Sequence, residues 1–308
     1  GQAVLDGNRM TIAAVICSVL AVVCYSLLLM NVEERVPVAP KPKGEGTAGV
    51  GKMLRSVVSN RALLILIVMA LLLLMGSLFM SGMLGYLFLN YFGDGRLQSP
   101  ASMAALLPTF ALIVLAPALG RRFGKAEAGA VSLLIGGALM IVAYFLQIES
   151  PVLWIIFYAV GSFAMAVFNF LIWAFITDVI DDQDVRTGQR DDATVYAVYS
   201  WARKVGQALA GGLTGAALGW IGFDTAAATA GAAQTDAVNA GIYALVNLVP
   251  GIAFVLVALV MWFLYPLKKA AVAENVRILS DRRAETWARG ENPYDGELDQ
   301  LMPRVPES

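Results

Sequence analysis

Residues 178–207 hold the densest set of groups in this chain that could do chemistry. Asp178, Asp181, Asp182, Asp184, Arg186, Arg190, Asp191 and Asp192 crowd together and read as a charged loop. An apolar helix follows, and it carries Arg203 and Lys204 well inside. Lys204 falls about 11 residues past the helix start, so roughly 16 Å deep at 1.5 Å per residue. A bilayer's hydrocarbon core is about 30 Å thick, which puts Lys204 near the midplane. Charges at that depth are costly and mark a substrate or ion path more often than packing. Tyr196, Ser200, Arg203 and Gln207 follow i, i+4, i+7, i+11, and Tyr199 and Ser200 precede Lys204 by about one turn. Consecutive helical residues point about 100° apart, so Arg203 and Lys204 do not share a face. Hydroxyls, an amide and cations suit a polyhydroxylated ligand. The competing reading, compatible with the first, is a buried lysine neutralised by a carboxylate on another helix.

Asn169 and Trp173 lie i, i+4 on the preceding helix. An indole there stacks on a sugar face and an amide bonds hydroxyls; packing against lipid or core is the alternative for Trp173. Asp178, Asp181, Asp184, Arg186 and Arg190 sit where that helix leaves the membrane. Such charges can form ion pairs with an opposing domain that break and re-form, which is a gate. The alternative is solvated loop charge, with exposed pairs contributing at most about 1 kcal/mol each.

The elements that must position these residues are membrane helices. Hydrophobic residues make up 58% of the chain and charged residues 15%, with mean hydropathy +0.69. A soluble domain has about a quarter of its residues charged. Seven apolar blocks of spanning length are expected, near 10–30, 62–89, 101–119, 126–146, 152–177, 193–222 and 242–264. Pro108 and Pro117 are expected to kink the third, and Pro250 to bend the last. Aromatic residues around Trp154 fit an outer interfacial belt. Ser77 and Ser81 read as interhelical hydrogen-bonding groups, and Gly211, Gly215 and Gly219 as a face for close helix packing. Residues 224–241 read as a loop of little structural specificity.

The chain has no His, which removes imidazole metal sites and histidine relays. No metal site and no cofactor is expected. Cys17 and Cys24 are seven residues apart on one helix, about 10 Å, too far for a disulfide. Basic residues collect in alternate loops: Arg35, Lys41, Lys43, Lys52, Arg55 and Arg61; Arg121, Arg122 and Lys125; Arg186 and Arg190; Lys268 and Lys269. The other loops hold Arg9 and Arg96. The rich side is cytoplasmic by this bias, so the C-terminus is expected inside a cytoplasmic (inner) membrane crossed many times. The chain begins with Gly1, and a preceding segment is expected.

A Pro/Lys/Gly-rich stretch at 36–46 has linker composition, and 51–60 reads as a short amphipathic run along the membrane surface. This divides the chain into a lone helix at 1–30, a cytoplasmic loop at 31–60, a six-helix bundle at 61–265 and a cytoplasmic tail at 266–308, partly helical to about Arg289.

The pattern Asp178-x-x-Asp181-x-x-Asp184-x-Arg186-Thr-Gly188-x-Arg190-x-Asp192, followed by Tyr196 and by Arg203-Lys204-x-Gly206-Gln207-Ala-Leu-Ala-Gly211, resembles the glycoside–pentoside–hexuronide:cation symporters. These are the melibiose-carrier-like branch of the major facilitator superfamily. The resemblance covers the whole chain. It implies an all-α membrane protein of seven transmembrane helices, equivalent to the sixth to twelfth helices of a twelve-helix carrier. It further implies cation-coupled sugar or glycoside symport by alternating access, with Na+ or H+ as coupling cation and with five further N-terminal helices as partner. Lys204 matches the family's membrane-embedded lysine near the cation and sugar sites. Tyr199, Ser200 and Arg203 match sugar-facing positions, where Gln, Thr and an apolar residue are usual. Asn169 stands where those carriers have a sugar-facing Trp. The departures point to a more polar or anionic sugar that Arg203 pairs with.

Lysolipid symporters of the same branch are the alternative, and they favour a greasy lateral cleft. A seven-helix receptor or retinal protein is disfavoured, since a retinal site would need a lysine in the last helix and 242–264 has none. An enzyme is disfavoured because HExxH, GxSxG and Cys/His pairs are all missing. No nucleic-acid partner is expected.

Overall fold

The computed structural model describes residues 7–31, 60–188 and 192–289. Among the described residues every regular element is helical. The chain divides into two units, one holding α1 (Gly7–Asn31) and the other spanning Glu45–Arg282. The described side chains of α1 are exposed. A helix apolar around its whole circumference suits lipid rather than water.

The second unit holds α2 (Arg61–Tyr86), α3 (Gln98–Phe123), α4 (Lys125–Leu146), α5 (Pro151–Thr187), α6 (Asp192–Trp220), α7 (Asp236–Leu259) and the first turns of α8 (Lys269–Ala288). Their ends are written locally. Asn60 caps α2 by accepting from the Leu63 N–H, and Ser150 caps α5 with Pro151 at its first position. Thr235 caps α7. Each side-chain oxygen takes an N–H that the first turn leaves without a partner. Both α2 and α7 run on into single π-helical turns, Leu87–Tyr91 and Val260–Leu264.

Five stretches are long and apolar enough to cross a membrane: Ala14–Asn31, Arg61–Tyr91, Lys125–Leu146, Pro151–Thr187 and Asp236–Leu264. Helices α3 and α6 are comparably long but fall outside this set; Arg203, Lys204 and five glycines dilute α6. Helix α3 runs unbroken through Pro108 and Pro117, and α7 through Pro250.

Packing follows glycine. Helix α4 packs on α5 and α7, α2 on α6 and α7, and α3 on α5. A Cβ on Gly136 would run into that of Ala164 on α5, and one on Gly137 would come within 2.7 Å of the Gly251 carbonyl on α7. Only glycine permits that approach, which gains dispersion contacts along both helices. One core gathers Leu66, Phe168, Phe175, Phe254 and Tyr265; the other gathers Phe88, Met140, Trp154, Ile242 and Tyr243.

Several expectations need correction. Trp154 is fully buried and does not sit in an interfacial belt. Its Nε1 donates to Asn247 Oδ1 at 3.1 Å, and that partner holds it in the core. Tyr243 fastens the same end, donating to the Ala143 carbonyl at 2.7 Å and accepting from the Ile148 N–H at 2.9 Å. The stretch 178–187 is no loop: α5 continues to Thr187, and Gly188 ends it at φ +68°. The loop after α6 is built rather than featureless. Asp224 caps a helical turn, Thr225–Thr229, and Gln234 clasps the Asp224 backbone at 2.8 and 2.9 Å. The surface run expected at 51–60 lies outside the described residues except for Asn60.

Candidate functional site

A cavity of about 550 Å³ opens between α2, α3 and α5. Asn169 lines it, as do Ser77, Ser81, Gln98, Ser102, Thr109, Tyr158 and Ser162. Ser77 and Ser81 donate to Leu74 and Ser77 carbonyls of their own helix, at 3.3 and 3.0 Å, not to another helix as expected. That leaves hydroxyl lone pairs facing the cavity. Apolar walls with a few polar groups are the usual build of a small-molecule site.

Trp173 is one turn beyond Asn169 on α5 and is 53% exposed. Its ring lies 6.1 Å from Tyr199 at 69° and 6.3 Å from Tyr196 at 30°. Arg203 then reaches back along α6, with Cζ 5.8 Å from the centre of the Tyr199 ring. This is a cation–π contact. Tyr199 is buried, while Tyr196 and Trp173 remain open. The structure therefore brings Trp173, Tyr199 and Arg203 into one cluster and places Asn169 in the neighbouring cavity. Ser200 and Lys204 are exposed on α6, and they line neither the cavity nor the cluster.

Tyr158, Ser162, Gln98, Ser102 and Thr109 escaped the sequence reading. A signal was present on α5: Tyr158, Ser162, Asn169 and Trp173 are spaced 4, 7 and 4, which places them on one helical face.

The charged end of α5 is a second constellation. Lys125 Nζ of α4 lies 2.6 Å from Asp178 Oδ1 and 2.8 Å from Oδ2. Asp178 is 6% exposed, so its expected gating charge has a partner inside its own bundle. Asp182 pairs with Arg186 at 2.9 Å and accepts from Asn275 of α8 at 3.3 Å. Arg282 of α8 donates to the Asp184 and Val185 carbonyls at 3.2 and 2.9 Å. It thus reaches two carbonyls at the end of α5, of which that of Asp184 also accepts from the Gly188 N–H at 2.8 Å. Tyr265 is buried beside these groups; burial, Asp178 and Asp182 push its phenol far above the ordinary range. Asp181 and Asp184 are half-buried and Arg186 is exposed. Arg190 lies outside the described residues.

Glycine placement on α6 also departs from expectation. Gly206 meets Leu71 and Leu74 of α2, whereas a Cβ on Gly211, Gly212, Gly215 or Gly219 would meet nothing within 4 Å. The expected tight packing at Gly211, Gly215 and Gly219 is not found within this bundle, because α6 turns a different face to α2.

Long apolar helices around an open cavity of hydroxyl and amide groups, with an aromatic and cationic cluster beside it, define a transporter bundle rather than an enzyme. The sequence matches the MFS/sugar transport protein family over residues 2–269, and the chain belongs to that family. It is 27% identical over 260 residues to an uncharacterized symporter of Bacillus subtilis, covering 84% of this chain and 54% of that protein. A Salmonella typhimurium protein whose name marks it as a candidate sulfoquinovose importer is 31% identical over 171 residues, 56% of this chain and 35% of that protein. A sodium-dependent lysophosphatidylcholine symporter of Gallus gallus is 28% identical over 173 residues, 56% and 32% respectively. The chain thus spans about half the length of the first of these relatives.

Proposed function

We propose that this chain corresponds to the sixth to twelfth helices of a twelve-helix carrier and moves a sugar or glycoside across the cytoplasmic membrane with Na+ or H+. Five further helices then complete the molecule, and the tail is cytoplasmic. In this reading residues 61–265 form the C-terminal bundle. The observation that carries it is the single face of α5 that runs from the hydroxyl-lined cavity at Tyr158, Ser162 and Asn169 to the cluster at Trp173, Tyr199 and Arg203. Hydroxyls and an amide bond sugar hydroxyls, Trp173 stacks on a ring face, and Arg203 pairs with an anionic substituent. The relative named for a sulfonated sugar supports an anionic substrate.

Ser200 and Lys204, exposed on α6 outside the described cavity, extend the substrate and cation path toward the other half of the carrier. Lys204 is the coupling residue: an ammonium at this depth competes with the coupling cation for carboxylates carried by the further helices. Asp178, Asp181, Asp184, Arg186 and Arg190 form the cytoplasmic gate. The open Gly211–Gly215–Gly219 face of α6 is where the other half of the carrier approaches during rocking.

The lysolipid alternative rests on the likeness to the Gallus gallus symporter. The hydroxyl and amide lining of the cavity favours the sugar reading.

The deciding experiment is uptake into vesicles containing the complete carrier, under imposed Na+ or H+ gradients. Neutral, uronate and sulfonated glycosides are compared with lysophosphatidylcholine. Accumulation of an anionic glycoside under one gradient is expected. Uptake of lysolipid alone, or uptake indifferent to both gradients, overturns the proposal.

A further inference from the structure

A second depression lies on the opposite flank of α5. Residues Val160, Phe163, Ala164 and Val167, at i, i+3, i+4 and i+7, turn away from the polar cavity and wall a groove of about 640 Å³. Helix α4 supplies the other wall from Glu127 to Ile135, and Trp262 after α7 closes it. A smaller depression of about 250 Å³ shares Val131 and Trp262 with it. Two apolar channels thus run on either side of one half-exposed indole. Along α4 the groove covers eight residue steps, about 12 Å at 1.5 Å per residue. Half of a bilayer's ~30 Å hydrocarbon core is about 15 Å, so the groove spans one leaflet.

The groove has one charged group in its lining, Glu127. Its Oε2 is buried without a hydrogen-bond partner, and no hydrogen bond or ion pair joins Glu127 to another described residue. The other polar lining group, Ser132, donates to the Gly129 carbonyl at 2.9 Å and is satisfied within α4. Lys125 is committed to Asp178. A carboxylate beside apolar surface needs an N–H donor to offset its desolvation. A Cβ placed on the neighbouring Gly124 would run into the Glu127 carboxyl group and meet the stem of Lys269, whose exposed side chain donates to the Arg122 carbonyl at 3.2 Å. The Glu127 carboxyl group and the stem of Lys269 therefore flank Gly124 at this end of the groove.

We propose that this groove holds a two-tailed phospholipid with a primary-amine headgroup. The ammonium bonds Glu127, the phosphate faces Lys269, and the tails lie on either side of Trp262. A choline headgroup has no N–H to give the carboxylate. A glycerol headgroup puts an anion next to Glu127 with no cation of its own. A bare metal ion gains nothing from walls that offer one carboxylate where hard cations take six or more oxygens.

The test uses the complete carrier, delipidated and incubated with equimolar dioleoyl phosphatidylethanolamine, phosphatidylcholine and phosphatidylglycerol. Native mass spectrometry then reads the lipids retained. Wild type is expected to keep the ethanolamine lipid about five-fold over the choline lipid, the scale of one charge-assisted hydrogen bond at a wet interface. Glu127→Gln is expected to abolish that preference, and Glu127→Lys to shift it to the glycerol lipid. Trp262→Ala is expected to lower retention of all three. Circular dichroism and melting of each variant separate lost preference from lost fold, and the Lys variant keeps the test decisive if the Gln variant is unstable. Equal retention of the three lipids by wild type, an unaltered preference in both Glu127 variants, or a second copy of the chain in place of lipid overturns the proposal. None of these outcomes depends on which substrate the carrier moves.

Discussion

Lys125 Nζ bridges both carboxylate oxygens of Asp178, at 2.6 and 2.8 Å, and so ties the first turn of α4 to the C-terminal third of α5. Asp178 is nearly sealed from solvent while Lys125 keeps about a third of its surface open. Removing the lysine strands a buried charge. Lys125→Ala is expected to destabilise the bundle by about 2 kcal/mol, below the 3–5 kcal/mol of a fully buried pair because Lys125 is partly solvated. The double variant Lys125→Ala/Asp178→Asn should recover part of that loss. Thermal melts of the two variants in detergent decide it, and equal melting points for single and double would show that the pair is dispensable.

Asp181 tests the gate more cleanly than Asp178, whose pair with Lys125 confounds stability with gating. Asp181→Asn is expected to slow transport several-fold while substrate affinity stays within about two-fold, since exposed or half-buried pairs contribute no more than about 1 kcal/mol. A cysteine near Tyr196 should label faster in this variant if the inward-open state gains population. Lost affinity with unchanged labelling would move Asp181 from the gate to the binding site.

The cluster around Tyr199 makes separable predictions for ring and charge. Trp173→Ala should weaken neutral and anionic glycosides alike, by about ten-fold, the scale of one lost stacking contact. Arg203→Gln should weaken the anionic glycoside by about 30-fold and the neutral one by less than about three-fold. Binding calorimetry on both ligands checks this. Equal losses for both ligands in Arg203→Gln would show that the guanidinium only braces Tyr199.

Lys204 is exposed on α6, so its replacement removes no packing. Lys204→Ala should leave the melting point nearly unchanged and bring gradient-driven accumulation down to equilibration. Wild-type accumulation ratios in this variant would remove Lys204 from the coupling path.

Glycines divide by face. Gly137→Ala drives a methyl into the Gly251 carbonyl and the Val255 side chain, and is expected to cost about 1–3 kcal/mol. Gly215→Ala points into open space and should be neutral or stabilise by up to about 1 kcal/mol through helix propensity. Expression yield and melting point compare the two. A Gly215→Ala variant as unstable as Gly137→Ala would show that α6 has a partner on that face within the bundle.

Composition by itself determined that this is a helical membrane protein, because partition into lipid is a local property of about 20 consecutive residues. The family was equally legible, since the charged motif from Asp178 to Gly211 is contiguous in sequence. Spacing also sufficed to pair Asn169 with Trp173 on one face of α5. The tertiary structure decided matters that depend on distant partners. Residues 178–187 read as a loop because four aspartates there favour water. They are helical because Lys125, 53 residues upstream of Asp178, and Asn275 and Arg282 in α8 supply the opposite charge and the donors. Trp154 looked interfacial until Asn247 gave its N–H a buried acceptor. The cavity could not be read from any one helix, because Ser77, Gln98 and Tyr158 converge only when α2, α3 and α5 pack. Which small residues pack and which stay open is likewise a property of helix rotation, set by the fit of Gly206 against α2.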